Sequence, residues 1–323
     1  MNFTHDSILL DPKTETERLI KTLKDIVAFK LKKRGAVVGV SGGIDSSVVL
    51  ALCAGTFGPD RVIAVMMPER DSSPESKRLA TILCEKFNVS YVLEDLTGAV
   101  NSFECYRRRD EAVKKIFPEY DPNRHKMKIV LQGDNEAQGK INIFYLTIIF
   151  PDGKEESFRL PLAEYLQIVA ASNFKQRSRM CMLYYYADAK NYAVIGTGNK
   201  NEHEQGFFVK YGDGGADVKP IAHLFKTQVY QIAEYLGVPE EIRSRIPTTD
   251  TYSAEQTQEE FFFKLPFDVL DRIWYGWEKG FSNSEIAKTL EMTEQQVEVI
   301  IKDIRQKIHT TEYLRQDPIS LNQ

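Results

Sequence analysis

A chain of 323 residues, 42% hydrophobic and 27% charged, has the composition of a globular protein with room for one large domain. Its net charge of −4 argues against a protein that coats nucleic acid, and no apolar run reaches the roughly eighteen residues of a membrane span. The N-terminus is polar and acidic, without the basic start and apolar stretch of an export signal. Cys53, Cys84, Cys105 and Cys181 are too scattered for a disulfide framework or a zinc site, so mostly buried thiols and a cytoplasmic location are expected.

From the N-terminus, apolar residues at Leu19, Ile20, Leu23, Ile26, Val27 and Leu31 predict a helix over Thr16–Arg34. The apolar run Ala36–Val40, bounded by glycines, reads as a buried strand, and Ser46–Phe57 as a helix buried nearly all round. A strand at Arg61–Met67, a helix at Pro74–Phe87 and a strand at Val89–Leu93 follow. This alternation implies a doubly wound parallel sheet. Near Cys105 the rhythm breaks, and a β-rich insertion is expected over about 106–160. Within it, strands at Lys126–Gln132, Lys140–Phe150 and Lys154–Leu160 are joined by turns at Gly133–Gly139 and Pro151–Gly153, giving a small antiparallel meander. The charge-rich start of the insertion, Tyr106–Glu111, is a solvated helix face or a lip over a cleft; the meander itself could extend a subunit interface. A helix at Leu162–Lys190, a strand at Tyr192–Ile195, a helix at Thr227–Leu236 and a mostly helical C-terminal third complete a single domain over 1–323.

Between the first strand and its helix lies Gly39-Val40-Ser41-Gly42-Gly43-Ile44-Asp45-Ser46-Ser47. Glycines let backbone N–H groups approach a phosphate, and the helix start adds a positive dipole end. Ser41, Ser46 and Ser47 supply hydroxyls, and Asp45 can hold a magnesium ion. The loop lacks the lysine of the mononucleotide P-loop. Gly133–Lys140 comes near that motif, but its spacer is too long and Ile141 replaces the Ser or Thr, so it reads as a hairpin turn. The run Ser41–Ser47 resembles the pyrophosphate-binding loop of the N-type ATP pyrophosphatases.

A second glycine-rich segment follows the strand ending at Ile195: Gly196-Thr197-Gly198-Asn199-Lys200-Asn201-Glu202, then the run Gly206–Asp217. Two such loops after two strands fit a ligand crevice at the carboxyl edge of an α/β sheet. Together with Asn173–Met180, Phe225–Gln228 and Pro247–Asp250, these segments resemble the NAD synthetase family over about 15–104 and 162–315. The resemblance implies ATP contacts from the phosphate loop, Thr197, Lys226 and Thr248, and magnesium held by Asp45 and Glu202. It implies deamido-NAD contacts from Arg177, Lys210 and Asp217. Asp45 and Lys226 are the expected catalytic groups, with Asp217 a candidate proton acceptor. The implied reaction adenylates a carboxylate and passes it to ammonia in a homodimeric enzyme. With only 40 residues before Ser41, no nitrilase-type glutaminase domain is expected, so the ammonia is free or comes from a separate glutaminase.

One position departs from the family pattern. The C-terminal run Thr311-Glu312-Tyr313-Leu314-Arg315 carries leucine where the family has lysine, which is either a tolerated change or a mark of a different carboxylate substrate. Ser282–Lys307 has the spacing of a helix-turn-helix, but Glu294 and Glu298 are acidic where DNA contacts would be needed. A tRNA-thiolating enzyme would bring paired cysteines and a basic surface, and this chain has neither.

Overall fold

Ala36, Val37 and Val38 are all buried, and their side chains alternate between two separate apolar clusters. A strand in that position must have both faces covered. The computed structural model describes residues 2–132, 143–249 and 251–321. Its strands are β1 (Ala36–Gly39), β2 (Val62–Met66), β3 (Tyr91–Leu93), β4 (Lys126–Gln132), β5 (Ile143–Ile149), β6 (Glu155–Arg159) and β7 (Ala193–Ile195). Four of them form a parallel sheet in the order β3-β2-β1-β7, with Val37 opposite Ile63 on one side and Val194 on the other.

The first half of the chain supplies helices α1 (Pro12–Asp25), α2 (Ile44–Phe57), α3 (Pro74–Lys86), α4 (Thr97–Ser102), α5 (Cys105–Ile116) and α6 (Leu162–Lys190). The second half supplies α7 (Lys200–Gln205), α8 (Lys226–Tyr235), α9 (Glu240–Arg243), α10 (Phe267–Glu278), α11 (Asn283–Thr289) and α12 (Glu294–Thr310). One face of the sheet is covered by α1, α2, α3 and α8, whose Leu23, Leu52, Leu83 and Ile232 share a core with Val38 and Ala64. The other face is covered by α4 and α6, through Val100, Met180, Leu183 and Ala187 against Val37, Val65 and Val194. The expected doubly wound fold is present.

Two expected boundaries move. The first helix begins at Pro12, not Thr16, because Asp11 caps it by accepting from Lys13 N and Thr14 N, with proline at the first helical position. The insertion does not start as β structure: Cys105–Ile116 is helix α5. Tyr106, Arg109, Ala112 and Val113 are buried at helical spacing, while Arg107, Arg108 and Glu111 face outward. The antiparallel meander then forms as β4-β5-β6. Its inner residues Met127, Ile129, Leu146 and Ile148 pack on Ala112 and Val113 of α5 and Ile168 of α6. The turn expected at Gly133–Gly139, the near-miss motif through Lys140, and Asp250 lie outside the described residues.

A buried ionic network ties this insertion to the main sheet. Lys175 of α6 donates to Glu69 Oε1 at 3.1 Å and to Asp71 Oδ2 at 2.6 Å, both on the loop after β2. Arg109 of α5 reaches the same Asp71 oxygen at 2.5 Å, and Tyr106 donates to Glu69 Oε2 at 2.7 Å. Burial alone would raise the Asp71 carboxyl, but the Lys175 ammonium and Arg109 guanidinium outweigh it and hold it low. The network therefore stabilises the fold above the ordinary carboxylate pKa, and that contribution is lost as pH falls through the depressed one. Lys175→Met leaves Glu69 and Asp71 without their shared cation. We expect it to destabilise the protein by about 3–5 kcal/mol at neutral pH in urea unfolding, with a smaller difference in acid.

Candidate active site

In the main sheet β2 and β3 lie on one side of β1 and β7 on the other, so the loops leaving β1 and β7 open onto one crevice. The loop from β1 runs through Ser41–Gly43 into α2. Gly42 has φ +75°, and a Cβ there would stand 2.5 Å from Ser76 O and 3.0 Å from Leu79 Cβ, so this position accepts only glycine. Ser46 and Ser47 both donate to Gly43 O, at 2.9 and 2.8 Å, and Gly43 N donates to Ser41 Oγ at 3.3 Å. The serines thus brace the turn that leads into the helix. Gly39, Val40, Ser41, Gly43, Ile44, Asp45 and Ser46 line the crevice, while Gly42 and Ser47 are packed behind it.

The loop from β7 leads into α7 through Asn199, which is fully buried. Its side chain accepts from Glu202 N at 3.0 Å, as a helix N-cap does, and donates to Asp45 Oδ1 at 2.9 Å. One asparagine therefore links the two loops. Lys226, at the start of α8 and only 1% exposed, donates to Asp45 Oδ2 at 2.5 Å. Its backbone N–H is held by Asn201 Oδ1 at 3.0 Å, and the next N–H, of Thr227, by Asp271 Oδ2 at 2.8 Å. Gln258 completes the group: its Nε2 donates to Glu202 Oε1 at 3.1 Å, and its Oε1 accepts from Lys226 at 3.5 Å.

The electrostatics follow from this crowding. Desolvation, and then the neighbouring Asp45 charge, push the Glu202 carboxyl up to about 8 against the pull of Lys226. Burial works to lower the Lys226 ammonium, but Asp45 and Glu202 outweigh it and raise the pKa above the ordinary lysine value. Lys226 therefore carries its charge at neutral pH. No group of three or more His, Cys, Asp or Glu among the described residues is arranged to hold a metal. Asp45 and Glu202 nevertheless offer two hard oxygen donors beside a phosphate-type loop, a donor set that suits magnesium once phosphate oxygens and water fill the remaining positions.

These groups open into a cleft of about 830 Å³, and Thr197, Glu202, Lys226 and Thr248 line it with the phosphate loop. Its far wall is apolar, built from Ile129, Leu131 and Phe144 of the insertion, with Tyr165 and Val169 of α6. The lip of the cleft is thus the meander rather than Tyr106–Glu111.

The expected substrate contacts lie elsewhere. Arg177 is on the outer side of α6 and donates to Lys210 O at 3.3 Å. Lys210 Nζ donates to the carbonyls of Tyr313 and Gln316 at 2.9 and 2.7 Å. Asp217 accepts from Val194 N at 2.8 Å and from the Tyr184 hydroxyl at 3.2 Å. Of the described residues, none of these three lines the cleft that holds Asp45.

Sequence reasoning passed over several residues that do line it. From α6 these are Asn173, Gln176 and Arg179, at the three-residue spacing of one helix face, which could have separated them from Arg177. Lys219 and His203 were also passed over. Burial, and then the Lys219 charge, depress the His203 imidazole to about 4, so it is neutral at neutral pH. Asn199 and Gln258 carry no charge and sit in the linear sequence like any other amide.

A crevice of this kind, at the switch point of a doubly wound sheet, is where open α/β proteins bind their ligands, and this chain is of that class. The model of the NAD synthase family matches residues 15–141 and 151–318, and the chain belongs to that family. It is 48% identical to an NH(3)-dependent NAD(+) synthetase of Mesorhizobium japonicum, covering 97% of each chain. It is 46% identical to one from Rhizobium meliloti, over 98% of this chain and 94% of the relative. Among solved structures, an NMN synthetase from Francisella tularensis superposes with a TM-score of 0.67 at 22% identity, over 97% of this chain and all of the other. An NH3-dependent NAD synthetase from Campylobacter jejuni gives 0.61 at 22%, with the same coverage, and these two structures share the fold.

The conformation of the phosphate loop is directly testable. Gly42→Ala would force a left-handed alanine against Ser76 O, which must move the loop or the start of α3. We expect a loss of about 1–3 kcal/mol in thermal or urea unfolding, together with weaker nucleotide binding measured by calorimetry.

Proposed function

We propose that this protein joins ammonia to the carboxylate of deamido-NAD at the expense of ATP, releasing AMP and pyrophosphate. The observation that carries the reading is Lys226, a buried and charged lysine ion-paired with Asp45 where two glycine-rich loops meet. A surface lysine at a helix start would have no reason to be buried there.

In this reading the Gly39–Ser47 loop, Thr197 and Thr248 hold ATP. The nicotinate carboxylate attacks the α-phosphorus, and the bond to the bridging oxygen breaks as pyrophosphate leaves. Lys226 sets a fixed cation where that negative charge grows, inside a site where water cannot screen it. A magnesium ion on Asp45 and Glu202 would add further screening of the phosphate charges. Neutral ammonia then attacks the acyl carbon, AMP departs, and the spare proton passes to solvent. Arg177, Lys210 and Asp217 enter as contacts for deamido-NAD. Asp217 has both oxygens engaged away from the cleft, so the geometry offers no support for it as the proton acceptor. Nor does it support a substrate contact from Arg315, which caps two helix ends by donating to the carbonyls of His203 and Glu204 in α7 and of Ile308 in α12.

A homodimer belongs to the same proposal. The outer side of α6, which carries Arg177, also exposes Leu162, Leu166 and Tyr185. Apolar residues of that size on one long helix favour a partner there, with the pyridine nucleotide close to the seam. Light scattering at micromolar concentration is expected to show a dimer; monomer alone would count against it.

The central test measures AMP, pyrophosphate and NAD together from purified protein, MgATP, ammonium and deamido-NAD, with a mononucleotide carboxylate as the competing substrate. Equal yields of the three products from deamido-NAD support the proposal, and preference for the mononucleotide overturns its substrate. In the same assay Lys226→Ala is expected to slow adenylate formation about a hundredfold, or on the order of 3 kcal/mol. ATP affinity should fall much less, because the loop still holds the phosphates in the ground state. A single-turnover rate within about threefold of the parent would remove Lys226 from the chemistry.

A further inference from the structure

We infer that the inserted β-sheet, which the proposed chemistry leaves without a task, positions the Asp45–Lys226–Glu202 group, and that it does so through Gln258. The inference rests on the reading above for what that group does, but not for how it is held.

The connection runs through the segment Pro247–Gln258. The segment is closed on itself: Thr249 N donates to Gln256 O at 2.9 Å, Gln258 N donates to Pro247 O at 3.0 Å, and Thr248 and Thr257 form an antiparallel bridge. One end carries Thr248, which lines the cleft, and the other end carries Gln258. The middle of the segment is docked along β4. Ala254 N donates to Met127 O at 3.1 Å, Met127 N donates to Ser253 Oγ at 3.0 Å, and the buried Gln256 Nε2 donates to Ile129 O at 3.0 Å. Just beyond it, Lys128 of β4 pairs with Glu260 at 3.1 Å. Lys175, already joined to the insertion through Asp71 and Arg109, also donates to Thr251 O at 3.3 Å. The insertion thus grips the segment at its middle, while its ends touch the site.

Gln258 is suited to the last link. Its amide donates to a carboxylate and accepts from an ammonium while adding no charge of its own. Lys226 faces two carboxylates, and without a neutral spacer it could swing from Asp45 towards Glu202. Gln258 engages both Glu202 and Lys226, and so keeps the lysine on Asp45. It is a positioning residue, since it acts through Lys226 and Glu202.

A double-mutant cycle tests the route. Gln256→Leu cuts the grip on Ile129 O and also removes a buried Oε1 that has no partner, so the fold should tolerate it. Gln258→Leu cuts the last link. In pyrophosphate release we expect kcat to fall about fivefold for Gln256→Leu and on the order of twentyfold for Gln258→Leu, with KM for ATP within about threefold. The double variant should match Gln258→Leu alone within about twofold, because the first change acts only through the second. Gln258→Glu, which keeps the acceptor but loses the amide donor to Glu202 and gives Lys226 a further charged carboxylate to pair with, should not restore the rate. Multiplying effects in the double variant, or recovery in Gln258→Glu, overturns the inference.

Hydrogen exchange followed by mass spectrometry gives an arm that does not depend on substrate identity. Gln256→Leu should speed exchange both in 247–258 and in α7, which carries Glu202. Faster exchange confined to the segment would defeat the inference, whereas a parent inactive on deamido-NAD would defeat only the proposed reaction.

Discussion

The ion pair between Asp45 and Lys226 is the contact on which the site is organised. Taking a lysine to 1% exposure carries a large desolvation penalty, and a single carboxylate seldom offsets it. The surrounding structure makes up the difference by fixing both partners before they meet. Asp45 is set by the turn around Gly42 and by Asn199; Lys226 is set by Asn201 and Asp271, which hold the first N–H groups of its helix. Asp271 is itself buried, with its carboxyl pushed up to about 6 chiefly by desolvation. Burying two charged groups to hold one helix start makes little sense for stability alone. It makes sense for a cation that must already be in place when charge develops beside it.

A second charged network, around Lys175, does a different job at the same cleft. It joins the loop after β2 to α5 and α6, so the insertion and the parallel sheet share a hydrophilic seam as well as an apolar one. Ser72 and Ser73 of that loop line the cleft, next along the chain to Glu69 and Asp71, whose carboxylates the network holds.

Much of this was legible in the chain because its signals are local. A run of buried apolar residues followed by glycines and an apolar helix points to a strand, a tight turn and a helix, and the long helix α6 falls over Leu162–Lys190 as its pattern predicts. The phosphate loop, Lys226 and Glu202 come together as expected. What stayed hidden depends on distant partners or on direction. Arg109 looks like one of three surface arginines until Asp71 is seen beneath it. Asn173, Gln176 and Arg179 were overlooked in favour of Arg177, because choosing a helix face needs the neighbours that cover it. Gln258 gives no sign at all, since an amide shows its use only when both of its ends are occupied.

The placement of β7 has a consequence for how the chain acquires its activity. Val37 pairs with Val194, so the crevice cannot exist until the insertion and all of α6 have been made and folded past. The contact is of long sequence separation, and its loop-closure entropy falls due before any catalytic group is assembled. During synthesis β1, β2 and β3 can pair early, leaving the β1 edge that β7 will occupy open to solvent. For that interval the nascent protein carries an unpaired, wholly apolar strand edge, a template for association with other chains. The insertion stands between β3 and β7 in the chain and so prolongs the interval during synthesis, which gives it a bearing on yield as well as on geometry.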